Sequence, residues 1–453
     1  MNIIIAGIGK LGDALVEYLV LENHNITVID TNPATVDAVV NKYDVFGIVG
    51  NGASLPILQE ADVHNTELFI AVTDSDELNL VCCMVAKKAG AQHTIARVRN
   101  PEYARQGAFL RSELGLSMLV NPEYDAAHEI SRLLQFPAAA KIEKFARGRV
   151  DMVEIALTAG NPLCGLSLKQ IGTRFAEQIL ICAVSRKDDV FIPKGDFVLQ
   201  AEDRISIVAS HSNIASLFRT LGITKKKIRS VMIIGGGKIG YYLASRLQKT
   251  GGIKVKIIDN NKDTCYELDK LLPKCEIVCA DGTDSDILEE EGISECDAVV
   301  ALTGIDEENI IISLIADLNK VDKIVIKVNR SSLNRLLHKL QSESFIAPRY
   351  ITAANVVRYV RAVSHSSGMS KIHALHKLVG DQLEAMEFIA SSDFPGCGVK
   401  LKNLNVRKNT LVACMLRNDT LIYANGDAEI LPDDRVVVIT ANEAVSDLRD
   451  ILE

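Results

Sequence analysis

One pattern is written twice in this chain, and it limits the possible folds more than any other feature. Near the start, Ile3-Ile4-Ile5-Ala6 runs into Gly7-Ile8-Gly9-Lys10-Leu11-Gly12. Far downstream, Val231-Met232-Ile233-Ile234 runs into Gly235-Gly236-Gly237-Lys238-Ile239-Gly240, so that Gly7 maps to Gly235 at an offset of 228. Thr27-Val28-Ile29-Asp30 matches Lys256-Ile257-Ile258-Asp259 at 229, and Gly50-Asn51-Gly52-Ala53 matches Ala280-Asp281-Gly282-Thr283 at 230. The stretch Ala71 to Asn79 matches Ala301 to Asn309 at 230, and Gly195-Asp196 and Asp203-Arg204 match Gly426-Asp427 and Asp434-Arg435 at 231. A slowly drifting offset is what duplication followed by small loop insertions leaves. The 453 residues are therefore two copies of one unit of about 225.

Each copy divides again. Its first part alternates short apolar runs with amphipathic stretches. Strands are expected at Ile3–Ala6, Ile26–Ile29, Val45–Val49, Leu68–Val72 and Thr94–Val98, and helices at Lys10–Leu21, Pro33–Lys42, Leu55–Ala61 and Glu77–Lys88. Near-continuous apolar strands separated by helices read as a doubly wound parallel sheet. After about Asn121 a further helix carries Ile130, Leu133 and Leu134 at helical spacing. The second part is a small α+β module. It has strands near Val150–Leu157, Ile179–Ser185 and Ile205–Ala209 and a short helix near Leu168–Ile171, and Phe388–Ile439 repeats it. The fold class expected is α/β: two tandem Rossmann-like N-lobes, each followed by a small α+β C-lobe. The boundaries expected are 1–136, 137–225, 226–365 and 366–453.

Composition narrows the function. Hydrophobic residues make up 48% and charged residues 24%, an ordinary globular mixture. No apolar run approaches the roughly 18 residues that span a bilayer. The start, Met1-Asn2-Ile3-Ile4-Ile5, has no basic stretch and no small-residue cleavage site, so no export signal is expected. A net charge of −8 argues against general nucleic-acid binding, which needs a dense basic surface. Lys225-Lys226-Lys227, the one basic run, reads as a solvated linker. Ten Cys in a long chain read as reduced, apolar packing residues. Cys82-Cys83 and Cys275-x-x-x-Cys279 lack the paired spacing of a zinc knuckle.

The glycine turns carry specific chemistry because each follows an expected strand and opens an expected helix. Gly7 allows a tight turn, Gly9 lets backbone approach a pyrophosphate, and Gly12 lets the helix pack close to the sheet. The helix N-terminus then faces the phosphate charge. Gly235, Gly237 and Gly240 repeat the arrangement. Asp30 lies 18 residues after Gly12 and Asp259 lies 19 after Gly240, close to the spacing of the ribose-binding carboxylate. A carboxylate there accepts from both ribose hydroxyls and repels a 2′-phosphate, which favours NAD(H) over NADP(H).

The remaining strand ends complete a crevice, because ligands of such sheets sit beyond the carboxyl ends of the strands. Asn51 and Asp281 end the third strand, Thr73-Asp74 and Thr303-Gly304 the fourth, and Arg97 and Lys327 the fifth. A guanidinium can grip phosphate oxygens as a fork, whereas an ammonium acts as a point charge. Asp76, Glu77, Asp306 and Glu307 read as acidic residues complementing helix dipoles. No catalytic residue is assigned. None of the nine His recurs at equivalent positions, and His373 and His376, expected on a helix, have no third metal ligand nearby in sequence. No HExxH, P-loop or Ser-His-Asp order is visible.

GIGKLG, TVIDTNP, GNGAS, AVTDSDELN, IARVRNPEY and NPEYDAA in the first copy, with GGGKIG, KIIDNNK, ADGTD and ALTGIDEEN in the second, make the chain resemble the peripheral NAD-binding subunits of Trk-type potassium transporters. The resemblance covers essentially the whole length. It implies two regulator-of-potassium-conductance units that act as a regulatory subunit and not as an enzyme. The family further implies a cytoplasmic ring at the inner face of the membrane, docked on a membrane-embedded potassium-translocating subunit. Eight units per ring imply a homotetramer. The first site would comprise Gly7, Ile8, Gly9, Lys10, Leu11, Asp30, Thr73, Asp74 and Arg97. The second would comprise Gly235, Gly236, Gly237, Lys238, Ile239, Asp259, Thr303, Gly304 and Lys327. Members bind NAD(H), and some bind ATP or ADP in the same crevice. The second copy departs at Gly304 and Lys327, where the first has Asp74 and Arg97, so its ligand stays open. Bound nucleotide would bias the shape of the ring and so the gate of the transporter. Two alternatives stay open at this point: a soluble NAD-dependent oxidoreductase, and a sensor whose C-lobes bind cyclic di-AMP. The Gly195-Asp196 and Gly426-Asp427 turns read as hairpin chemistry.

Overall fold

A computed structural model describes residues 1–135, 141–175, 178–187, 189–222, 228–330, 333, 344–364, 372–378, 382–441, 445 and 447–453. The expected boundaries at 136, 225 and 365, and the Lys225-Lys226-Lys227 run, lie outside the described residues.

The chain separates into two compact units. The first holds Met1–His128 together with Gly237–Ser245 and Ile346–Val357. Its sheet is built from β1 (Asn2–Ala6), β2 (Asn25–Asp30), β3 (Phe46–Val49), β4 (Leu68–Ala71), β5 (His93–Arg97) and β6 (Met118–Val120), in the order β3-β2-β1-β4-β5-β6. All neighbours run parallel. Residues Ile3 to Ala6 of β1 and all of β4 are buried, because helices cover both faces of the sheet. Phe69, Leu58, Cys82, Cys83 and Ile4 lie in one of its cores. The helices start where the sequence supplies caps. Asn32 accepts from the Ala34 N–H with Pro33 in the first turn, Ser75 accepts from the Leu78 N–H, and Asn100 accepts from the Glu102 N–H. β6 went unforeseen because its three residues carry no periodicity of their own. Within this unit, Tyr242 donates to the Arg99 carbonyl at 2.9 Å and accepts from Asn121 Nδ2 at 3.1 Å. Asp125 accepts from Thr352 Oγ1 and Asn355 Nδ2 at 3.0 and 3.2 Å.

The second unit holds Glu129–Gly236, Arg246–Phe345 and Arg358–Glu453. The first small sheet consists of β7 (Lys141–Phe145), β8 (Val150–Ala156), β9 (Leu180–Arg186), β10 (Asp189–Phe191) and β11 (Arg204–Ala209), in the order β10-β9-β11-β8-β7. The second large sheet has β12 (Ser230–Ile234), β13 (Lys254–Asp259), β14 (Glu276–Cys279), β15 (Ala298–Ala301), β16 (Lys323–Lys327) and β17 (Ser344–Ile346), in the order β14-β13-β12-β15-β16-β17. The second small sheet has β18 (Ile372–Leu378), β19 (Leu383–Ile389), β20 (Thr410–Arg417), β21 (Thr420–Tyr423) and β22 (Arg435–Thr440), in the order β18-β19-β22-β20-β21. The helix expected around His373 and His376 is the strand β18, which runs antiparallel to β19. Pairing with the buried strand β19 outweighs a weak helical spacing.

The two small sheets share a core. Phe145, Met152, Cys182 and Val208 pack in one cluster with Leu383, Ala385, Cys414 and Val437. Each small sheet also holds a buried carboxylate in a fork. Arg186 reaches Asp203 at 2.7 and 2.8 Å, and Arg417 reaches Asp434 at 2.9 and 2.7 Å. The same aspartates accept from the Gln200 and Leu431 N–H groups, closing the turn before β11 and β22. The Gly195-Asp196 and Gly426-Asp427 segments are turns, the second ordered by Asn425 Oδ1 accepting from the Asp427 and Ala428 N–H groups.

Candidate functional site

The strand order reverses between β1 and β4, the point at which sheets of this kind leave a crevice beyond the carboxyl ends of their strands. The Gly7 N–H donates to the Ile29 carbonyl at 2.8 Å, which pins the turn to β2. Gly7 has φ +95°, and a Cβ on it would lie 2.6 Å from the Thr73 nitrogen. The chain can turn here only without a side chain. A Cβ on Gly12 would lie 2.2 Å from the Gly7 carbonyl oxygen, which is the close approach the spacing predicts. Above Gly9 there is open space, since a Cβ there meets nothing within 4 Å. Gly9 caps the helix Lys10–Leu21 without a side-chain bond, so the first N–H groups of that helix face the crevice. Ile8 and Leu11 are buried under the turn, and Lys10 is exposed beside it.

Asp30 ends β2. Its Oδ2 accepts from the Ile8 N–H at 2.7 Å and its Oδ1 from the Asn32 N–H at 2.9 Å. The carboxylate is thus fixed against the glycine turn, and each oxygen keeps a further lone pair. Asn51 stands apart in role. It is exposed, and its Oδ1 accepts from the Ala53 N–H at 2.9 Å in a local turn.

Arg97 ends β5 and is 8% exposed. Its Nη2 donates to the Thr73 carbonyl and lies 3.3 Å from Asp74 Oδ1, while its buried Nε–H has no partner. Burial, with the neighbouring Arg99 cation, holds the guanidinium pKa below its ordinary value. The group nevertheless stays charged. A buried cation with an unused N–H, an open space over Gly9 and a bare helix N-terminus together fit a ligand that carries phosphate.

Three residues whose part sequence reasoning missed hold this geometry. Asn79 is fully buried. Its Oδ1 accepts from the Thr73 N–H and Oγ1, both at 2.7 Å, and its Nδ2 donates to the Arg97 carbonyl at 3.0 Å. Asn79 therefore ties the end of β4 to the end of β5. Asp76 is buried as well, and its Oδ2 accepts from the Arg99 and Asn100 N–H groups at 2.8 and 2.7 Å. Asp76 also sits in the first turn of the helix Asp76–Ala89, as the dipole reading expects, so it serves both as dipole complement and as bridge. Arg99 completes the arrangement through Asp76, 3.7 Å away, and the Asp74 carbonyl. A polar residue recurring inside an apolar helix of both copies, as Asn79 and Asn309 do, was the signal available. Asn79→Ala is expected to cost about 2–3 kcal/mol, since it strands the Thr73 N–H and the Arg97 carbonyl. A urea midpoint unchanged from the parent chain would refute this.

The second crevice repeats the plan with different end groups. Gly235 has φ +105°, and a Cβ on it would lie 2.8 Å from the Leu302 carbonyl carbon. Asp259 Oδ2 accepts from the Gly236 N–H at 2.7 Å, and its Oδ1 from the Asn261 N–H at 2.9 Å. Asn309 accepts from the Thr303 N–H and donates to the Lys327 carbonyl, both at 2.9 Å. Asp306 accepts from the Asn329 and Arg330 N–H groups at 2.9 Å, as Asp76 does in the first copy. Lys327 Nζ donates to the Leu302 carbonyl at 3.2 Å, and Gly304 is exposed. Asp281 is exposed and accepts from the Thr283 N–H and Oγ1. Those bonds hold its carboxyl below the usual range. Gly237 and Lys238 are exposed, while Ile239 and Gly240 are buried in the first turn of the helix Lys238–Thr250.

Among the described residues no cluster of three metal-ligating side chains occurs, and no helix is long and apolar enough to cross a membrane.

Comparison with known proteins gives three findings. The TrkA-N domain family matches residues 3–122 and again 231–348, and the TrkA-C domain family matches 152–222. The Trk system potassium uptake protein TrkA homolog of Archaeoglobus fulgidus is 31% identical over 451 residues, spanning 100% of each chain. The Trk system potassium uptake protein TrkA homolog 2 of Methanosarcina mazei is 29% identical over 460 residues, again spanning 100% of each. Among solved structures, the GsuK channel bound to NAD superposes with a TM-score of 0.63 at 18% identity, covering 98% of this chain and 77% of that one. That likeness concerns the fold.

Proposed function

Since the chain belongs to the TrkA family of Trk system potassium uptake proteins and carries its N domain twice, we propose that it is the nucleotide-responsive regulatory subunit of a potassium uptake system. Its relatives are named as potassium uptake proteins, not as enzymes. The units proposed are 1–136 and 226–365 as nucleotide-binding lobes, with 137–225 and 366–453 as their companion C-lobes.

The observation that carries the reading is the buried Arg97 guanidinium, with its unused Nε–H, at the rim of a glycine turn and a fixed carboxylate. In the first crevice, Gly9 and the first N–H groups of the helix Lys10–Leu21 would face the pyrophosphate. Asp30 would accept from the ribose hydroxyls, and Arg97 would bind a phosphate oxygen. Ile8, Lys10 and Leu11 would line the turn, and Thr73 with Asp74 the opposite wall. NAD(H) is the ligand proposed, with ATP or ADP as competitors for the same phosphate contacts. In the second crevice Gly235 to Ile239, Asp259, Thr303, Gly304 and Lys327 take the corresponding parts. There an ammonium replaces the fork, which favours a ligand needing one point charge over one gripped at two oxygens.

Regulation follows from differential affinity. A ligand that prefers one arrangement of the lobes shifts the population toward it by that preference and no more. We propose that the chain assembles as a homotetramer of eight units on the cytoplasmic face of a membrane-embedded potassium-translocating subunit, and that nucleotide exchange alters flux through that partner.

Calorimetry of the whole chain with NAD, NADH, ATP, ADP and cyclic di-AMP tests the ligand. Potassium uptake with the partner present, measured with a nonhydrolysable ATP analogue, tests the control. Arg97→Ala is expected to weaken NADH binding at the first site about 10- to 100-fold, the worth of one or two charge-assisted hydrogen bonds. Unchanged affinity in a folded Arg97→Ala protein would refute the phosphate role. Turnover of the cofactor with a hydroxy or amino acid would point instead to an oxidoreductase.

A further inference from the structure

The ribose-side wall of the second crevice carries two thiols that the first lacks. Cys265 lies in the helix Lys262–Leu271, which packs on β14, and Cys279 is the last residue of β14. β13 and β14 run parallel with Asp259 paired to Cys279. Cys265 Sγ donates to the Asp259 carbonyl at 3.2 Å and lies 3.9 Å from the Val278 carbonyl, the residue just before Cys279. These contacts, with the pairing of Asp259 to Cys279, set the Cys265 sulfhydryl beside the end of the strand that carries Cys279. Cys265 is buried and Cys279 is exposed. In the first copy the positions six residues after Asp30 and opposite Asp30 are Val36 and Val49. The pair is therefore a property of the second copy alone, set beside the carboxylate that ends its second strand.

We propose that Cys265 and Cys279 form a reversible dithiol–disulfide site whose oxidant is a hydroperoxide. The exposed Cys279 meets the oxidant first. Its sulfur attacks the terminal peroxide oxygen, the O–O bond breaks, and the thiol proton leaves with the departing oxygen as water or alcohol. Cys279 is then a sulfenic acid. Cys265 sulfur attacks the Cys279 sulfur, the S–O bond breaks, and the hydroxide leaves with the Cys265 proton as water. Two thiols are oxidised by two electrons and one peroxide is reduced. Cys265 suits the resolving part, because it is shielded from solvent and its sulfur lies 3.9 Å from the carbonyl of the residue before Cys279. Burial, with Cys279 nearby, pushes its thiol up to about 11 and keeps it protonated until the sulfenic acid forms. The disulfide removes the sulfhydryl donor from the Asp259 carbonyl and ties the helix to the end of β14. A thiol reductant restores both.

The test uses the full chain, reduced, then exposed to hydrogen peroxide, blocked with a maleimide, digested and mapped by mass spectrometry. The expected result is a cross-linked peptide pair joining Cys265 to Cys279, two hydrogens lighter than the reduced pair, together with loss of two maleimide-reactive thiols. Dithiothreitol should reverse both changes. Cys279→Val should abolish the cross-link, and its circular dichroism and melting curve report that it is folded. Oxidation of Cys279 to sulfinic acid with no cross-link, or cross-links to Cys279 from other cysteines in preference to Cys265, would overturn the proposal.

Discussion

Gly7→Val is expected to destabilise the first parallel sheet by about 2–6 kcal/mol and to remove nucleotide binding from the first crevice. Two costs combine. A β-branched residue at φ +95° is strained by roughly 1–3 kcal/mol. Its Cβ would also lie 2.6 Å from the Thr73 nitrogen and 2.8 Å from the Thr73 Cα, both backbone atoms, so the end of β4 has to move. Overpacking against atoms that cannot swing aside adds about 1–3 kcal/mol. The displaced Thr73 is the residue that Asn79 and Arg97 both hold, so the wall of the crevice moves with it. The comparison is Gly9→Ala, where a Cβ meets nothing within 4 Å. That variant should keep the parent's stability to within about 0.5 kcal/mol. It should nevertheless lose affinity for NADH, because the methyl occupies the space proposed for the pyrophosphate. Urea denaturation gives the first quantity and calorimetry the second. A Gly7→Val chain with the parent's midpoint would refute the turn argument, and a Gly9→Ala chain with the parent's affinity would refute the placement of the phosphates.

Glu384→Gln is expected to destabilise the second small sheet by about 3–5 kcal/mol, because it leaves a buried guanidinium without its carboxylate. Arg361, in the last turn of the helix Pro348–Ser364, reaches Glu384 on β19 at 3.0 and 3.1 Å. Arg361 is 5% exposed and Glu384 7%. Water cannot take over the lost interaction at that depth, whereas at an exposed pair it would. The double variant Arg361→Met with Glu384→Leu should recover most of the loss, since removing both charges removes the desolvation cost along with the attraction. A double-mutant cycle read by urea denaturation separates the two effects. A Glu384→Gln chain within about 1 kcal/mol of the parent would show that the ion pair is dispensable.

The parts of the fold legible in the sequence were the ones governed by short-range chemistry. The apolar runs became β1 to β5 within a residue or two, because apolar and β-branched side chains mark a strand locally, even at the edge strand β3, where Phe46 and Val49 stay exposed. Lys10–Leu21 was found with both bounds, because Gly9 opens it and Glu22 closes it. Three-residue strands such as β6 and β10 escaped, since nothing local marks them and only a neighbouring strand makes them. Arg97 and Asp30 were legible as end-of-strand groups of the right charge. Asp76 and Asn79 were not, because their partners lie 18 to 24 residues away across the sheet.

The amino-acid sequence alone determined the duplication, the parallel sheets, the two glycine turns and the identity of the charged groups at the strand ends. All of these follow from periodicity and turn chemistry acting within a few residues. The tertiary structure decided which of those charges are held by backbone, which cation is buried with an N–H to spare, and that the two small sheets share one core. It also decided that two cysteines flank Asp259, one bonded to its carbonyl and one paired with it across the strands. Each of these depends on groups far apart in the chain being brought to hydrogen-bonding or van der Waals distance, and no local pattern encodes such a meeting.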